Sequence, residues 1–128
     1  MNSPAKQYLV ISALGQDRPG IVKNLTQPIS ESSANIVDSR MTILGGEFAI
    51  LMMVEGSWDT IAKLEAQLPS LQQKLALTIV SKRTDWPKSQ DNTLPYSVNV
   101  VALDHPGIVN QLADFFSTRN INIQDLYT

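Results

Sequence analysis

The hexapeptide Asp17-Arg18-Pro19-Gly20-Ile21-Val22 occurs twice in this chain. Asp104-His105-Pro106-Gly107-Ile108-Val109 repeats it at an offset of 87 residues. The register then holds without a gap: Leu25 meets Leu112, Ser30 meets Ser117, Asn35-Ile36 meets Asn122-Ile123, and Asp38 meets Asp125. A repeat of this length constrains the fold more than any local propensity does, because one supersecondary plan must serve both copies.

The first copy reads as alternating strands and helices. Tyr8 to Leu14 is a strand by composition. Gly15 to Pro19 is a loop, and Asp17 is placed to cap the helix that follows, its carboxylate accepting first-turn N–H groups. Pro19 suits a helix start, since its missing N–H has no partner there. Gly20 lets a backbone or a ligand approach closely. Ile21, Val22, Leu25 and Ile29 recur at helical spacing, with Pro28 expected to bend or fray the end. Asn35 to Leu44 and Phe48 to Val54 are strands joined by Gly45-Gly46, the pair a type I′ hairpin turn demands. Ser57 caps a second helix striped by Ile61, Leu64, Leu68, Leu71 and Leu75, in which Pro69 is expected to bend or break the run. Leu77 to Lys82 is a fourth strand.

The order β-α-β-β-α-β predicts an α+β, ferredoxin-like sandwich, with both helices on one face of a four-stranded sheet. The first and third strands barely alternate, so the second face should be covered too, by another copy of the module from the same chain or a partner. Residues 1–83 are assigned to the first domain and 84–95, polar with Pro87 and Pro95, to a linker. Trp86 in that linker is either an anchor packed on a domain or an exposed ring. Residues 96–128 supply only β-α-β of the second copy: a strand from Tyr96 to Leu103, a helix from about Pro106 to Arg119 and a strand from Ile121 to Thr128. In this strand order the first and second strands are not neighbours, so the missing third strand leaves a gap. Either the sequence is a piece of a longer chain or another chain donates that strand.

Ten Lys and Arg against twelve Asp and Glu give a net charge of −2, which argues against nonspecific nucleic-acid binding. There is no cysteine, hence no disulfide, thiol nucleophile or cysteine metal site. No apolar run approaches the roughly 18 residues of a membrane span, and a cytoplasmic location is expected. A single histidine and no phosphate loop leave few players for acid–base or nucleophilic chemistry, so the chain is not expected to be an enzyme or to carry a cofactor.

The Asp-x-Pro-Gly loop, its helix and the Asn-Ile opening the next strand resemble the ACT domain, a small regulatory module that often binds amino acids. Tyr8-Leu9-Val10-Ile11, Ala13-Leu14-Gly15, Asp38-Ser39-Arg40, Gly56-Ser57-Trp58 and Lys82-Arg83-Thr84 narrow the likeness to tandem-ACT transcriptional regulators without a DNA-binding domain. That resemblance implies repression of glycine-cleavage genes through contact with a LysR-type activator, glycine as effector, and homo-oligomerisation through the sheets. It also leaves open a regulatory piece of a serine phosphatase or a formyltetrahydrofolate deformylase, or a module that pairs without ligand.

In amino-acid-binding ACT domains the ligand sits between adjacent modules, held by the loop after the first strand and the start of the second. Carried over, the candidates are Asp17, Gly20, Asn35 and Ile36, and in the second copy Asp104, Gly107, Asn122 and Ile123. A carboxylate can accept from an ammonium, a helix N-terminus suits a carboxylate, and an Asn amide offers donor and acceptor. Each has a purely structural alternative. Asp17 and Asp104 need only cap helices, Asn35 and Asn122 need only make turns, Gly20 and Gly107 need only supply a conformation, and Asp38, Asp125 and His105 need only be exposed.

Overall fold

The structure, a computed structural model, describes residues 5–85, 94–101 and 106–128. Asp104, His105, Trp86 and most of the linker lie outside the described residues. The chain divides into two compact units, Met1–Ser89 and Gln90–Thr128.

The first unit holds β1 (Gln7–Gln16), α1 (Ile21–Glu31), β2 (Asn35–Leu44), β3 (Glu47–Gly56), α2 (Trp58–Leu75) and β4 (Thr78–Thr84). Its four strands lie in the order β2-β3-β1-β4, all pairs antiparallel. This is the ferredoxin-like order expected from the sequence. Gly45 and Gly46 take φ of 58° and 83°, the two positive values that a type I′ hairpin turn needs. Ser57 caps α2 as its sequence context predicts, its Oγ accepting from Thr60 N at 3.3 Å.

Both helices cover one face of the sheet. Leu9, Ile11 and Ala13 of β1 and Phe48, Ile50, Met52 and Val54 of β3 are buried with Ile21, Leu25 and Ile29 of α1 and the Ile61–Leu75 stripe of α2. The other face of the sheet carries Val10, Leu14, Ala49, Leu51, Met53 and Val80. Of these, Leu14, Leu51 and Val80 are at least half exposed.

Three local expectations are corrected. Pro69 does not break α2, which runs on to Leu75; Pro69 is exposed, so water can satisfy the carbonyl it leaves free, and the leucine stripe holds both halves to the sheet. Pro19 is not the first helical residue and Asp17 is not the cap of α1. The N-cap is Gly20, with no side-chain cap hydrogen bond, because a Pro-Gly turn stands between Asp17 and the helix.

The second unit contains α3 (Ile108–Ser117). The strands expected at Tyr96–Leu103 and Ile121–Thr128 do not form among the described residues there. A ladder needs a neighbour, and no strand among the described residues pairs with either segment. α3 accordingly has no buried residue, and Phe115 is half exposed, with the Arg119 guanidinium 3.6 Å over its ring. The backbone nevertheless repeats the first copy at both helix ends. Gly107 has φ 87° where Gly20 has 81°, and Asn120 has φ 56° where Ser33 has 70°.

Candidate functional site

The loop leading into α1 is built by a type II turn. Ile21 N donates to Arg18 O at 3.3 Å. Pro19 occupies the position whose φ the pyrrolidine ring presets, and Gly20, at φ 81° and ψ 0°, occupies the one that needs positive φ. A Cβ at Gly20 would meet only Asn24 Nδ2, at 3.8 Å. Gly20 is therefore required for its conformation and not for lack of space. Its carbonyl accepts from Asn24 N at 2.9 Å and starts the helix. A Ser or Asp at that position would turn its own oxygen onto the first-turn amides. Glycine cannot, so those N–H groups carry no side-chain cap and remain a positive, donor-lined end.

Long-range contacts clamp this loop. Asp17 N donates to Gly46 O of the β2–β3 hairpin at 3.1 Å. The Arg18 guanidinium donates to the Leu75 carbonyl, one of the acceptors left over at the C-terminal end of α2. A Cβ at Gly15 would lie 2.5 Å from Leu77 Cδ2 and 3.2 Å from Ala76 O, so a side chain there requires the Leu77 side chain and the Ala76 carbonyl to shift. The Asp17 side chain itself is exposed. A fixed loop thus presents an exposed carboxylate beside an uncapped helix start, an acceptor for an ammonium and donors for a carboxylate.

Asn35 and Ile36 lie elsewhere. They open β2 at the far end of α1, an 11-residue helix and so about 16 Å long. There they line an open depression of about 610 Å³ with Lys23, Thr26, Gln27 and Glu31. Within one module the structure brings Asp17 to Gly20 but does not bring that pair to Asn35 and Ile36. In the second unit Gly107 begins α3, while Asn122 and Ile123 are exposed in the segment after it.

Sequence reasoning missed Arg18 as the tie between loop and α2, because its partner is a backbone atom 57 residues away. It also missed the polar face of α1 over the depression, although Lys23, Thr26 or Gln27, and Ser30 fall at helical spacing. Among the described residues no group of three or more His, Cys, Asp or Glu could hold a metal, and no helix is long and apolar enough to cross a membrane.

Comparison with known proteins bears on these features. The chain is 38% identical over 126 residues to the glycine cleavage system transcriptional repressor of Escherichia coli (strain K12), covering 98% of this chain and 66% of that protein. It thus spans just under two thirds of the length of that relative. A UPF0237 protein of Methanocaldococcus jannaschii is 33% identical over 79 residues, covering 60% of this chain and 88% of its own length. A crystal structure of a protein assigned as a glycine cleavage system transcriptional repressor superposes with a TM-score of 0.72 at 31% identity, covering 95% of this chain and 71% of that one. The ACT domain pattern matches residues 7–82, from the first residue of β1 into β4. With the strand order, the Pro-Gly turn and the repeat all in agreement, this chain belongs to the ACT domain family.

Proposed function

We propose that this chain is an amino-acid-responsive transcriptional regulator that represses glycine-cleavage genes by contact with a LysR-type activator, with glycine as effector. The observation that carries this reading is the 38% identity to a glycine cleavage repressor across 98% of the chain. The site geometry is compatible with it. The Asp17 carboxylate and the first-turn amides of α1 offer glycine's two charged ends one partner each. The opening of β2, with Asn35 and Ile36, lies too far away to join them within one module. The receptor is therefore completed by the start of β2 from a neighbouring module, and in the second copy Asp104, Gly107, Asn122 and Ile123 play the corresponding parts.

Ligand size limits the affinity. At the ceiling of about 1.5 kcal/mol per heavy atom, glycine reaches a Kd of roughly a few micromolar at best. That range suits an abundant metabolite. Calorimetry with glycine, serine and alanine, followed by a pull-down of the purified activator with and without glycine, tests both halves. Heat with glycine and glycine-dependent capture are expected. No heat with any small amino acid removes the sensor role, and no capture under either condition removes the repressor role.

A further inference from the structure

We infer that the notch between α1 and the C-terminal end of α2 is a second small-molecule site, one that takes an amino dicarboxylate. The notch lies on the helical side of the first unit. It has a volume of about 450 Å³ and is lined by Arg18, Asn24, Gln27, Pro28, Glu31 and Lys74. That volume is within the range of small-molecule pockets. Asn24, Gln27 or Pro28, and Glu31 recur at helical spacing, so they form one stripe of α1 facing the notch. Lys74 comes from the last turn of α2 and Arg18 from the loop before α1.

The notch has two poles. One holds two cations. Arg18 donates through Nη2 to the Leu75 carbonyl, which fixes the guanidinium and leaves Nη1 and Nε to donate elsewhere. Lys74 has no carboxylate at ion-pair distance among the described residues. The other pole holds acceptors. Glu31 is the last residue of α1, where the helix dipole already favours a cation. Its Oε1 accepts from Gln27 Nε2 at 3.0 Å, and its other oxygen is left for a ligand. Pro28, inside α1, has no N–H to give the Asn24 carbonyl four residues before it, so that acceptor lacks its helical donor. Two cations against one carboxylate leave one positive charge in excess. A ligand with two carboxylates and one ammonium matches this arrangement, its carboxylates on Arg18 and Lys74 and its ammonium between the Asn24 carbonyl and Glu31. Glycine, with a single carboxylate, leaves one cation unmatched.

The two repeats differ here, whereas they agree at the Pro-Gly turn. At the offset of 87 the counterparts of Arg18, Pro28 and Glu31 are His105, Phe115 and Thr118. The second copy thus loses the fixed cation, the proline and the acid together. The turn is duplicated, but the notch is written into the first copy alone, which separates it from the proposed glycine receptor. A cationic pair at a helix C-terminus has a simpler use, since both charges suit the carbonyl end of α2. That use requires neither Glu31 nor a proline in α1, and it is the acceptor pole that points to a ligand. Lys74 and Glu31 are exposed, so binding is weak and each pole adds only a modest factor.

Amide-resolved NMR titration of the full chain at constant ionic strength tests this, with glutamate as the probe. Glutamate is expected to shift the amides of Asn24, Gln27, Glu31 and Lys74 along one saturable isotherm. Saturating glycine should leave that isotherm in place. Glutarate, which has both carboxylates and no ammonium, should bind about fivefold more weakly. Lys74→Gln should weaken glutamate by about the same factor. Glu31→Gln should abolish the preference for glutamate over glutarate. Pro28→Ala gives the Asn24 carbonyl its N–H, so it should weaken glutamate and leave glutarate unchanged. This comparison of two ligands on one variant reads the acceptor pole even where a substitution alters stability. The absence of a saturable shift overturns the proposal, as do shifts that sodium chloride reproduces. Equal binding of glutarate and glutamate by the parent overturns it too. Competition by glycine would assign the binding to the Pro-Gly turn and equally overturn it. A chain that binds no glycine fails the reading of the turn and leaves this isotherm untouched, so the two failures are distinguishable.

Discussion

At the scale of single residues, Asp17 and Ala76 show how a helix end can be left open or closed under strain. Asp17 lies three positions before its helix cap and makes no cap hydrogen bond. Asp17→Ala should therefore leave the thermal midpoint unchanged within error while weakening glycine binding at least tenfold. Paired calorimetry and thermal melts check this, and a drop in stability of about 1 kcal/mol would show that the carboxylate is a cap after all. Ala76 closes α2 at φ 53°, and its N–H donates to Gln73 O. The left-handed region costs a residue with a Cβ about 1 kcal/mol that glycine does not incur. Ala76→Gly is expected to stabilise the fold by up to that amount in urea titration, and a destabilised variant would refute the assignment of strain. Neither effect was legible beforehand. The Asp-Arg-Pro-Gly string reads equally well as a cap or as a turn, and only the position of the first helical residue, Ile21, separates the two.

At the scale of elements, α2 is held more by its partners than by its own sequence. Pro69 sits in its interior on the exposed side. Replacing it with Ala restores an N–H for the Glu65 carbonyl and should stabilise the fold by roughly 1–2 kcal/mol, short of the full 3 kcal/mol of helix propensity because the unfolded chain gains freedom as well. A chemical-denaturation midpoint that does not rise would mean that the helix depends on the irregularity. Glu65 also ties α2 to β4: Arg83 Nη2 and Nε donate to its Oε1 at 2.6 and 3.1 Å. That hydrogen bond, more than the charge itself, holds the Glu65 carboxyl below its ordinary range. A lowered folded pKa means that the stabilisation is present above the usual carboxylate range and is lost as pH falls through the lowered value. Glu65→Gln should cost no more than about 1 kcal/mol near neutrality, because both side chains of the pair are partly exposed to water. Melts from pH 7 to pH 3 should show the gap between variant and parent closing towards acid; a gap constant with pH would rule out this linkage. The strands and the Gly45-Gly46 turn were legible because short runs of strand-forming residues and a two-glycine turn are local signals. The Arg83–Glu65 tie was not, since its partners are 18 residues apart on different elements.

At the scale of the whole molecule, the repeat carried more than any single element. Along its register the backbone at Gly107 copies that at Gly20. The repeat also led to strands being expected at 96–103 and 121–128, and none forms there among the described residues. What it left open is whether the turn of one module meets the β2 start of another at all, because that depends on assembly and not on spacing. The distribution of the core leads to a last expectation. Every buried hydrophobic residue among those described lies between Leu9 and Leu77. Folding free energy follows buried apolar area, so residues 1–85 should unfold cooperatively without the remainder. At about 12–15 cal/mol/K per residue, calorimetry of that fragment should give a heat-capacity step near 1 kcal/mol/K. A peptide of residues 94–128 should show no cooperative transition, since α3 buries no residue and no strand forms among the described residues there. A sharp transition in the peptide, or its absence in the longer fragment, would place stabilising contacts outside the core described and reverse the division of labour between the two repeats.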